Sequence, residues 1–392
     1  ILAAKGYTVA GTNGRMTENG STDLVWKWTN DALDTTTFST GATGTAITNL
    51  FDESDPNKSS DAPGSVTWMS RSDWTGTIPT APAQLTANET LAASLAFTKY
   101  DGSEANSVEM PTLGVKNGLT LASMIGKDFD DPEWDTLLDQ LTYSEMVNTI
   151  TLGFHNTAAA ASIGKTATKD ENGPQGLTAA LTGGASAMCY TSEDVMAATF
   201  NVDLINEVGR CIGEDCLAMG YSGLYGPGIN MHRTAYCGRN FEYYSEDPFV
   251  AGTICAAEVQ GIQSKGVYVY LKHVALNDSE TSRRGVNTWL NEQTAREIYL
   301  EVADKAITDG GAWSVMTGFN RWGATWCGAN ANLLTGFLRG ELGMRGMCIT
   351  DFSGSSQYMD LVDGLIAGSD IWDSPMPKIH TTKAANYEND AY

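Results

Sequence analysis

The sequence predicts an α/β protein whose main domain is a TIM-like (β/α)8 barrel. Three observations lead to this prediction. From residue 111 onward, helical segments alternate with short apolar runs, which favours strands connected by helices. Several of the apolar runs end in polar or charged residues, as strands do at the mouth of a barrel. The chain has 392 residues, and one such barrel takes about 250.

The alternation is visible in the hydrophobic periodicity. Helical patterns cover residues 132–140, 203–219 and 292–308, and apolar runs cover residues 224–229, 267–275, 312–316 and 347–349. Because long connections separate the apolar runs, the strands are predicted to pair in parallel.

Three regions of different character divide the chain. Residues 1–48 hold short β-prone pieces between turn residues, and residues 49–110 are rich in Pro, Thr and Ser without clear periodicity. An irregular stretch of this length is uncommon inside a compact domain, so residues 49–110 are predicted to be an extended linker that packs on the barrel. Residues 111–392 form the predicted barrel, which we expect to be cut short before its last helix.

The composition argues against several classes of partner. Lys and Arg total 24 against 47 acidic residues, and the net charge of −23 repels nucleic acid and anionic lipid surfaces. The sequence has no run of 18 apolar residues, so no membrane-spanning helix is predicted.

No metal or cofactor is predicted either. The seven cysteines form no CxxC pair, and no HExxH, P-loop or GxSxG signature occurs. The cysteine pattern slightly favours a cytoplasmic location over secretion, and the oligomeric state stays open.

Asp351, which follows the apolar run 347–349 and Thr350, is a candidate for chemistry. A carboxylate at the end of a buried strand is costly to desolvate without a partner. Retaining glycosidases use such a group to attack the anomeric carbon of a sugar. An Asp that caps the next helix explains the position equally well.

Lys272 and His273 follow another predicted strand. Side chains of consecutive strand residues alternate, so only one of the two need face the interior unless the strand has ended. Both donate hydrogen bonds and suit sugar hydroxyls. The alternative is a buried ion pair with a nearby acid such as Asp278 or Glu280.

Two further segments carry polar candidates. Arg233 and Arg239 flank residues 236–238, and Arg239 with Glu242 favours an internal salt bridge that holds loops. Asn172 opens a turn with Gly and Pro, where its amide either bonds a ligand or only shapes the turn.

Together these segments resemble glycoside hydrolase family 3. The matching strings, in the family's order, are NGPQGL from Asn172, YGPGIN ending at Asn230, GRNFEYYSEDP from Gly238, KHVALNDSE from Lys272, VMTGFN ending at Asn320 and ITDF ending at Phe352. They fall within roughly residues 111–373. Several strings in order are far more specific than any single motif.

The resemblance implies a role for each matched residue. Asp351 aligns with the family's nucleophile. Asn172 stands where the family usually has an Asp that grips sugar hydroxyls, and Phe352 replaces the usual Trp beside the nucleophile. The implied sugar-binding residues are Asn172, Arg233, Lys272, His273, Met316 and Phe352.

The resemblance also implies where the proton donor lies. In most members the acid/base is a Glu from a separate α/β-sandwich domain. A branch that uses a His–Asp dyad is excluded, since no second His follows His273 nearby. Residues 1–7 and 68–79 resemble members in which the sandwich and a fibronectin-type-III-like domain precede the barrel. Residues 1–48 are then the C-terminal remnant of that β-domain, and the acid/base lies outside this chain.

The predicted function is a retaining glycoside hydrolase that cleaves terminal β-linked sugars through a covalent glycosyl-enzyme on Asp351. β-Glucosides are the default substrates, as oligosaccharides or as aryl and alkyl glycosides, and β-xylosides or other β-glycosides stay open. The alternative is a non-catalytic glycan-binding barrel, suggested by Asn172 and the missing acid. The predicted partner is the sandwich domain of the same polypeptide.

Overall fold

A computed structural model describes residues 7–10, 15–18, 40–67, 87–96, 111–353, 356 and 358–374. Within the N-terminal region, strands β1 (Tyr7–Ala10) and β2 (Arg15–Glu18) pair antiparallel. Most of residues 1–39 and the whole segment 68–79 lie outside the described residues. The fibronectin-type-III-like remnant and the boundaries of the three regions therefore stay predictions.

The remaining strands belong to the region from residue 111 onward. In chain order they are β3 (Asn156–Thr157), β4 (Thr168–Asn172), β5 (Gly223–Tyr225), β6 (Tyr268–Val274), β7 (Asn287–Thr288), β8 (Ser314–Thr317), β9 (Arg321–Trp322), β10 (Thr325–Trp326) and β11 (Cys348–Thr350). Strands β7, β9 and β10 form a small separate sheet.

The central sheet has six strands in the order β3-β4-β5-β6-β8-β11. From β4 to β11 every neighbouring pair is parallel, and only β3 pairs antiparallel with β4. The predicted α/β organisation with parallel strands is thus confirmed, and the four predicted apolar runs each contain a strand. Six strands rather than eight are seen in this sheet among the described residues, so a complete (β/α)8 barrel stays a prediction.

The sheet is curled, which brings its two edges together. Beside β11, Ile349 forms a parallel bridge with Ile371. The next residue, Trp372, donates its backbone N–H to the carbonyl of Ile150 at 2.9 Å. Ile150 lies in the last turn of the helix that precedes β3, the strand at the opposite edge. Residues near 155 and near 373 therefore meet at one end of the sheet.

Helices cover the sheet. They are α1 (Glu89–Ser94), α2 (Glu133–Leu138), α3 (Tyr143–Thr151), α4 (Glu193–Ala198), α5 (Val202–Met219), α6 (Pro248–Gln263), α7 (Glu292–Thr294), α8 (Glu301–Thr308) and α9 (Leu361–Ala367), with π-helical turns at Ala295–Tyr299 and Asn332–Glu341. The predicted helix 203–219 is confirmed as α5. It begins where the Asn201 side chain accepts the N–H of Leu204, and it ends at Gly220 with φ 81°.

The predicted helix 292–308 differs from the structure. A π-helical turn separates α7 from α8, because the N–H of Leu300 bonds the carbonyl of Ala295 five residues earlier. The turn contains one extra residue, and the side chains of Ala295 and Leu300 at its two ends are both buried in the core.

The core lies between the sheet and helices α5, α6 and α8. Strand β6 is buried from Val269 to Val274, as expected for a parallel strand covered on both faces. Each fully buried aliphatic side chain stabilises the fold by about 1.5–3 kcal/mol. No helix within the described ranges is long and apolar enough to cross a bilayer.

The described part of the linker region packs against this body. Phe51 is buried and stacks on Trp322 with ring centroids 4.0 Å apart. The N–H of Phe51 donates to the carboxylate of Glu292 at 2.7 Å, and Asn332 donates to the carbonyl of Leu50. The segment is thus held by contacts that do not require it to form a strand.

Candidate active site

A cavity of about 370 Å³ lies at the carboxyl end of the parallel strands. Five of the six predicted sugar-binding residues and the predicted nucleophile line it: Asn172, Lys272, His273, Met316, Phe352 and Asp351. They come from the ends of β4, β6, β8 and β11. The sequence-based expectation that these segments converge at one mouth therefore agrees with the geometry. Their roles in binding or catalysis stay predictions.

Asp351 follows β11 and has two different oxygens. Its Oδ1 accepts the backbone N–H of Phe352 at 2.8 Å. Its Oδ2 is buried and has no hydrogen-bond partner among the described residues. Burial raises the pKa of Asp351, while the nearby positive charge of Arg239 opposes that rise. A partly unsatisfied carboxylate in a cavity is arranged for contact with a ligand rather than for capping a helix.

Lys272 and His273 both line the cavity although they are adjacent in β6. The pairing of β6 with β8 shifts register between Lys272 and Val274, which breaks the alternation of a regular strand. Nζ of Lys272 donates to Oδ1 of Asn172 at 3.3 Å and lies 3.8 Å from Oε2 of Glu242. The suggested alternative partner Asp278 instead accepts the N–H of Met231 at 2.6 Å.

Arg233 is the one predicted sugar-binding residue outside this set. Its side chain is exposed and donates to the hydroxyl of Tyr299 rather than lining the cavity. Arg239 lies in the cavity instead and also donates to Glu242. The salt bridge that the sequence favoured for Arg239 and Glu242 is present. A guanidinium carries five donors, which is more than one carboxylate uses.

The cavity contains a further arginine pair at its wall. The guanidinium groups of Arg283 and Arg284 lie 4.8 and 5.3 Å from the ring centroid of Phe319. Arg283 also pairs with Glu280 at 3.0 Å, and Asn277 donates to the same carboxylate at 3.3 Å. Glu280 is therefore held by its loop.

Several lining residues were not predicted from the sequence, among them His155 and Asp373. His155 lies just before β3 and its Nδ1 is 2.7 Å from Oε1 of Glu171. Asp373 follows the bridge at Ile371, at the other edge of the curled sheet. The available signal was weak: His155 is one of only four histidines, and Asp373 follows the apolar residues Ile371 and Trp372.

The described residues contain no group of three or more His, Cys, Asp or Glu side chains arranged to hold a metal ion. The chemistry available is that of two carboxylates, Asp351 and Asp373, each with one oxygen that has no described hydrogen-bond partner, together with several cationic donors and the aromatic side chains of Tyr225, Phe319 and Phe352. This combination suits a neutral polyhydroxylated ligand, because the donors bond hydroxyl oxygens and the aromatic faces cover C–H groups.

The chain is similar to curated proteins and to solved structures over part of its length. Thermostable β-glucosidase B of Acetivibrio thermocellus is 34% identical over 253 residues, covering 62% of this chain and 33% of the relative. An exo-α-(1→6)-L-arabinopyranosidase of Bifidobacterium longum is 34% identical over 190 residues, covering 46% of this chain and 25% of the relative. The structure of β-glucosidase 3B from Thermotoga neapolitana with glucose superposes with a TM-score of 0.59 at 30% identity, covering 65% of this chain and 39% of that one.

The chain thus spans about a third of the length of the β-glucosidase it matches. The profile of the glycosyl hydrolase family 3 N terminal domain matches residues 154–370, which is more than half of the chain and includes all the cavity-lining strands. On this match, with the parallel sheet and the cavity at its carboxyl end, the chain belongs to glycosyl hydrolase family 3.

Proposed function

We propose that this chain carries the nucleophile and sugar subsite of a retaining β-glycosidase acting on β-glucosides. The observation that carries the proposal is the state of Asp351. Its Oδ1 is fixed by a backbone N–H, and its buried Oδ2 faces hydrogen-bond donors without a partner of its own among the described residues. The β-glucosidases among the relatives support the same substrate class.

The reaction proceeds by double displacement. Oδ2 of Asp351 forms a bond to the anomeric carbon while the bond from that carbon to the leaving oxygen breaks, and the leaving oxygen takes a proton from a general acid. Water then attacks the anomeric carbon, gives its proton to the conjugate base of that acid and releases the Asp351 carboxylate. Arg239 and Lys272 stabilise the ionised nucleophile, since their positive charge opposes the effect of burial on its pKa.

The general acid is proposed to be a Glu on a sandwich domain outside this chain. Two other acids line the cavity, and neither is well placed for protonating a leaving group. Glu280 is bound by Arg283 and Asn277. Asp373 is only 3% exposed, and we expect it to contact the sugar rather than the leaving group.

The test compares two substrates on the 392-residue chain. A dinitrophenyl β-glucoside has a leaving group that departs without a proton, whereas cellobiose needs general acid catalysis worth about 10²–10⁴-fold. We expect the aryl glucoside to react far faster than cellobiose, and azide to accelerate turnover because an anionic nucleophile needs no base. The Asp351→Asn variant is the control and should be inactive with both.

Two outcomes would overturn parts of the proposal. Efficient cellobiose hydrolysis by the isolated chain would place the acid within it. No reaction of the aryl glucoside would favour a non-catalytic glycan-binding domain, the alternative suggested by Asn172. A panel that includes a β-xyloside and an arabinopyranoside tests the substrate class, because one relative is named for the latter.

A further inference from the structure

Asn172 limits what one wall of the cavity offers to a ligand. Its Oδ1 accepts the ammonium of Lys272 at 3.3 Å, so the amide presents its Nδ2 donor to the cavity. Oδ1 keeps a second lone pair, but a neutral amide oxygen is a weaker acceptor than a carboxylate. A charged acceptor for a sugar hydroxyl has to come from elsewhere in the cavity.

Asp373 provides an acceptor in the same cavity. Its side chain lines the cavity, is 3% exposed, and its Oδ1 has no hydrogen-bond partner among the residues that the structure describes. The backbone at this position is fixed, because its N–H donates to Oγ1 of Thr350 at 3.0 Å and its carbonyl accepts the N–H of Ser353 at 2.8 Å. A buried carboxylate oxygen without a donor is costly unless a ligand supplies one.

His155 supplies a second acceptor on the same side of the cavity. Its ring is buried and lines the cavity, and its Nδ1 lies 2.7 Å from Oε1 of Glu171. A carboxylate oxygen only accepts, so Nδ1 carries the proton and Nε2 of the neutral ring is the acceptor. Glu171 is itself fully buried. It also accepts the N–H of Asn172 at 2.9 Å and the hydroxyl of Thr182. Burial alone would raise the pKa of Glu171, but these hydrogen bonds hold it below its ordinary value.

We infer that Asp373 and His155 form a second hydroxyl-binding pair in the sugar cavity, in which one hydroxyl of a neutral pyranose donates to Oδ1 of Asp373 and a neighbouring hydroxyl donates to Nε2 of His155. This inference rests on the proposed function, since it concerns the same cavity. It makes Asp373 a specificity-determining residue that supplies the charged acceptor absent at Asn172. Glu171 is a positioning residue, because it acts through the His155 ring.

The electrostatics agree with this arrangement. Burial raises the pKa of Asp373 to about 7, and the nearby carboxylate of Asp351 adds to the rise, while the charge and the backbone N–H of His155 oppose it. The pKa stays raised despite this N–H, and Oδ1 itself has no described partner. A hydroxyl that donates to the ionised form would favour that form.

The experiment measures binding of glucose and each monodeoxyglucose to the 392-residue chain by calorimetry. One monodeoxy sugar should bind the wild-type chain about 10- to 100-fold more weakly than glucose, the range for a hydrogen bond to a charged group. In Asp373→Ala that discrimination should shrink to about twofold, and in Asp373→Asn, which keeps a neutral oxygen, it should be intermediate. Asp194→Asn is the matched control, because its Oδ1 is also buried without a described partner but lies outside the cavity.

Each result supports or overturns the inference. Unchanged discrimination in a folded Asp373→Ala would exclude the hydroxyl-binding role. Azide rescue of Asp373→Ala with the dinitrophenyl glucoside would make Asp373 the acid/base and would also overturn it. Failure of the wild-type chain to bind any of these sugars would defeat the proposed function as well, whereas normal wild-type binding with insensitive variants defeats this inference alone.

Discussion

Nε2 of His273 lies 3.5 Å from Oδ2 of Asp351, and the two groups do not form an ion pair. Burial, with the positive charges of Arg239 and Lys272 nearby, holds the pKa of His273 well below its ordinary value. The ring is therefore neutral at neutral pH, and 3.5 Å is longer than a good hydrogen bond. Oδ2 keeps its lone pairs available for attack, while the imidazole edge beside it is placed to contact a sugar hydroxyl.

Replacing Lys272 by Met should weaken sugar binding without unfolding the protein. The ammonium contacts Asn172 at 3.3 Å but lies 3.8 Å from Glu242, so it is not in a tight ion pair. We expect glucose affinity to fall roughly 10- to 100-fold, the range for one charged hydrogen bond. Glu242 retains its bond from Arg239. A stability loss of about 3–5 kcal/mol with unchanged affinity would instead show a structural ion pair.

Arg239 should matter for the reaction and Arg233 should not. Arg239 lines the cavity and its charge acts on Asp351, whereas Arg233 is exposed and bonds Tyr299. Arg239→Lys keeps the charge but loses the planar fork, so the rate with the dinitrophenyl glucoside should fall by about tenfold or more. Arg233→Lys is the matched control and should stay within about twofold. The reverse order would restore the role that the resemblance implied for Arg233.

As the pH is lowered, Asp351 should lose its ability to attack at a higher pH than the one at which an ordinary aspartate becomes protonated. Burial raises its pKa, and only the ionised form attacks, so the rate falls as the pH drops through the raised value. Removing the opposing charge in Lys272→Met should move the midpoint further upward. The pH dependence of inactivation by a dinitrophenyl 2-fluoroglucoside measures this. A midpoint at or below the ordinary value of 3.8 would contradict the burial seen here.

A buried acid pair outside the cavity should make stability depend on pH. Glu258 accepts the hydroxyl of Tyr244 at 2.6 Å, its Oε1 has no described partner, and burial raises its pKa as it does that of the neighbouring Glu193. Because the folded state binds more protons than the unfolded state above the ordinary pKa, the free energy of unfolding contributed here decreases as the pH rises.

The variant Glu258→Gln cannot ionise, so it should become progressively more stable than the wild type as the pH increases from about 5 to 8. Urea unfolding at several pH values measures the difference. The control is Glu207→Gln, because 64% of the Glu207 side chain is accessible. The difference in free energy of unfolding between this variant and the wild type should not change with pH in this range. If the difference in free energy of unfolding between Glu258→Gln and the wild type did not change with pH, the acid pair would ionise freely in the folded protein.

Much of the fold was predictable because buried parallel strands have long apolar runs. The run 267–275 contains β6, and the helix 203–219 has an Asn cap and a Gly end. The number of strands in the sheet was not predictable to the same degree, because a three-residue strand such as Gly223–Tyr225 leaves little periodicity. The residues that close the curl are joined by backbone bonds, which leave no sequence pattern.

The site was predictable where a residue lies within or just after an apolar run, as Lys272 and Asp351 do. It was not predictable for His155 and Asp373, since their proximity depends on the meeting of two sheet edges more than 200 residues apart. Arg239 shows a different limit. A sequence pattern indicates that an arginine and an acid can pair, but not which other groups the guanidinium also faces.

The central claim is that Asp351 is the nucleophile, and the most direct test is to identify the residue that a dinitrophenyl 2-deoxy-2-fluoro-β-glucoside labels. This reagent forms the glycosyl-enzyme through a leaving group that needs no proton and hydrolyses slowly afterwards. Peptide mapping by mass spectrometry should find one sugar on the peptide containing Asp351 and none in Asp351→Asn. A label on Asp373, Glu280 or any other residue, or no label on a folded wild-type chain, would contradict this account.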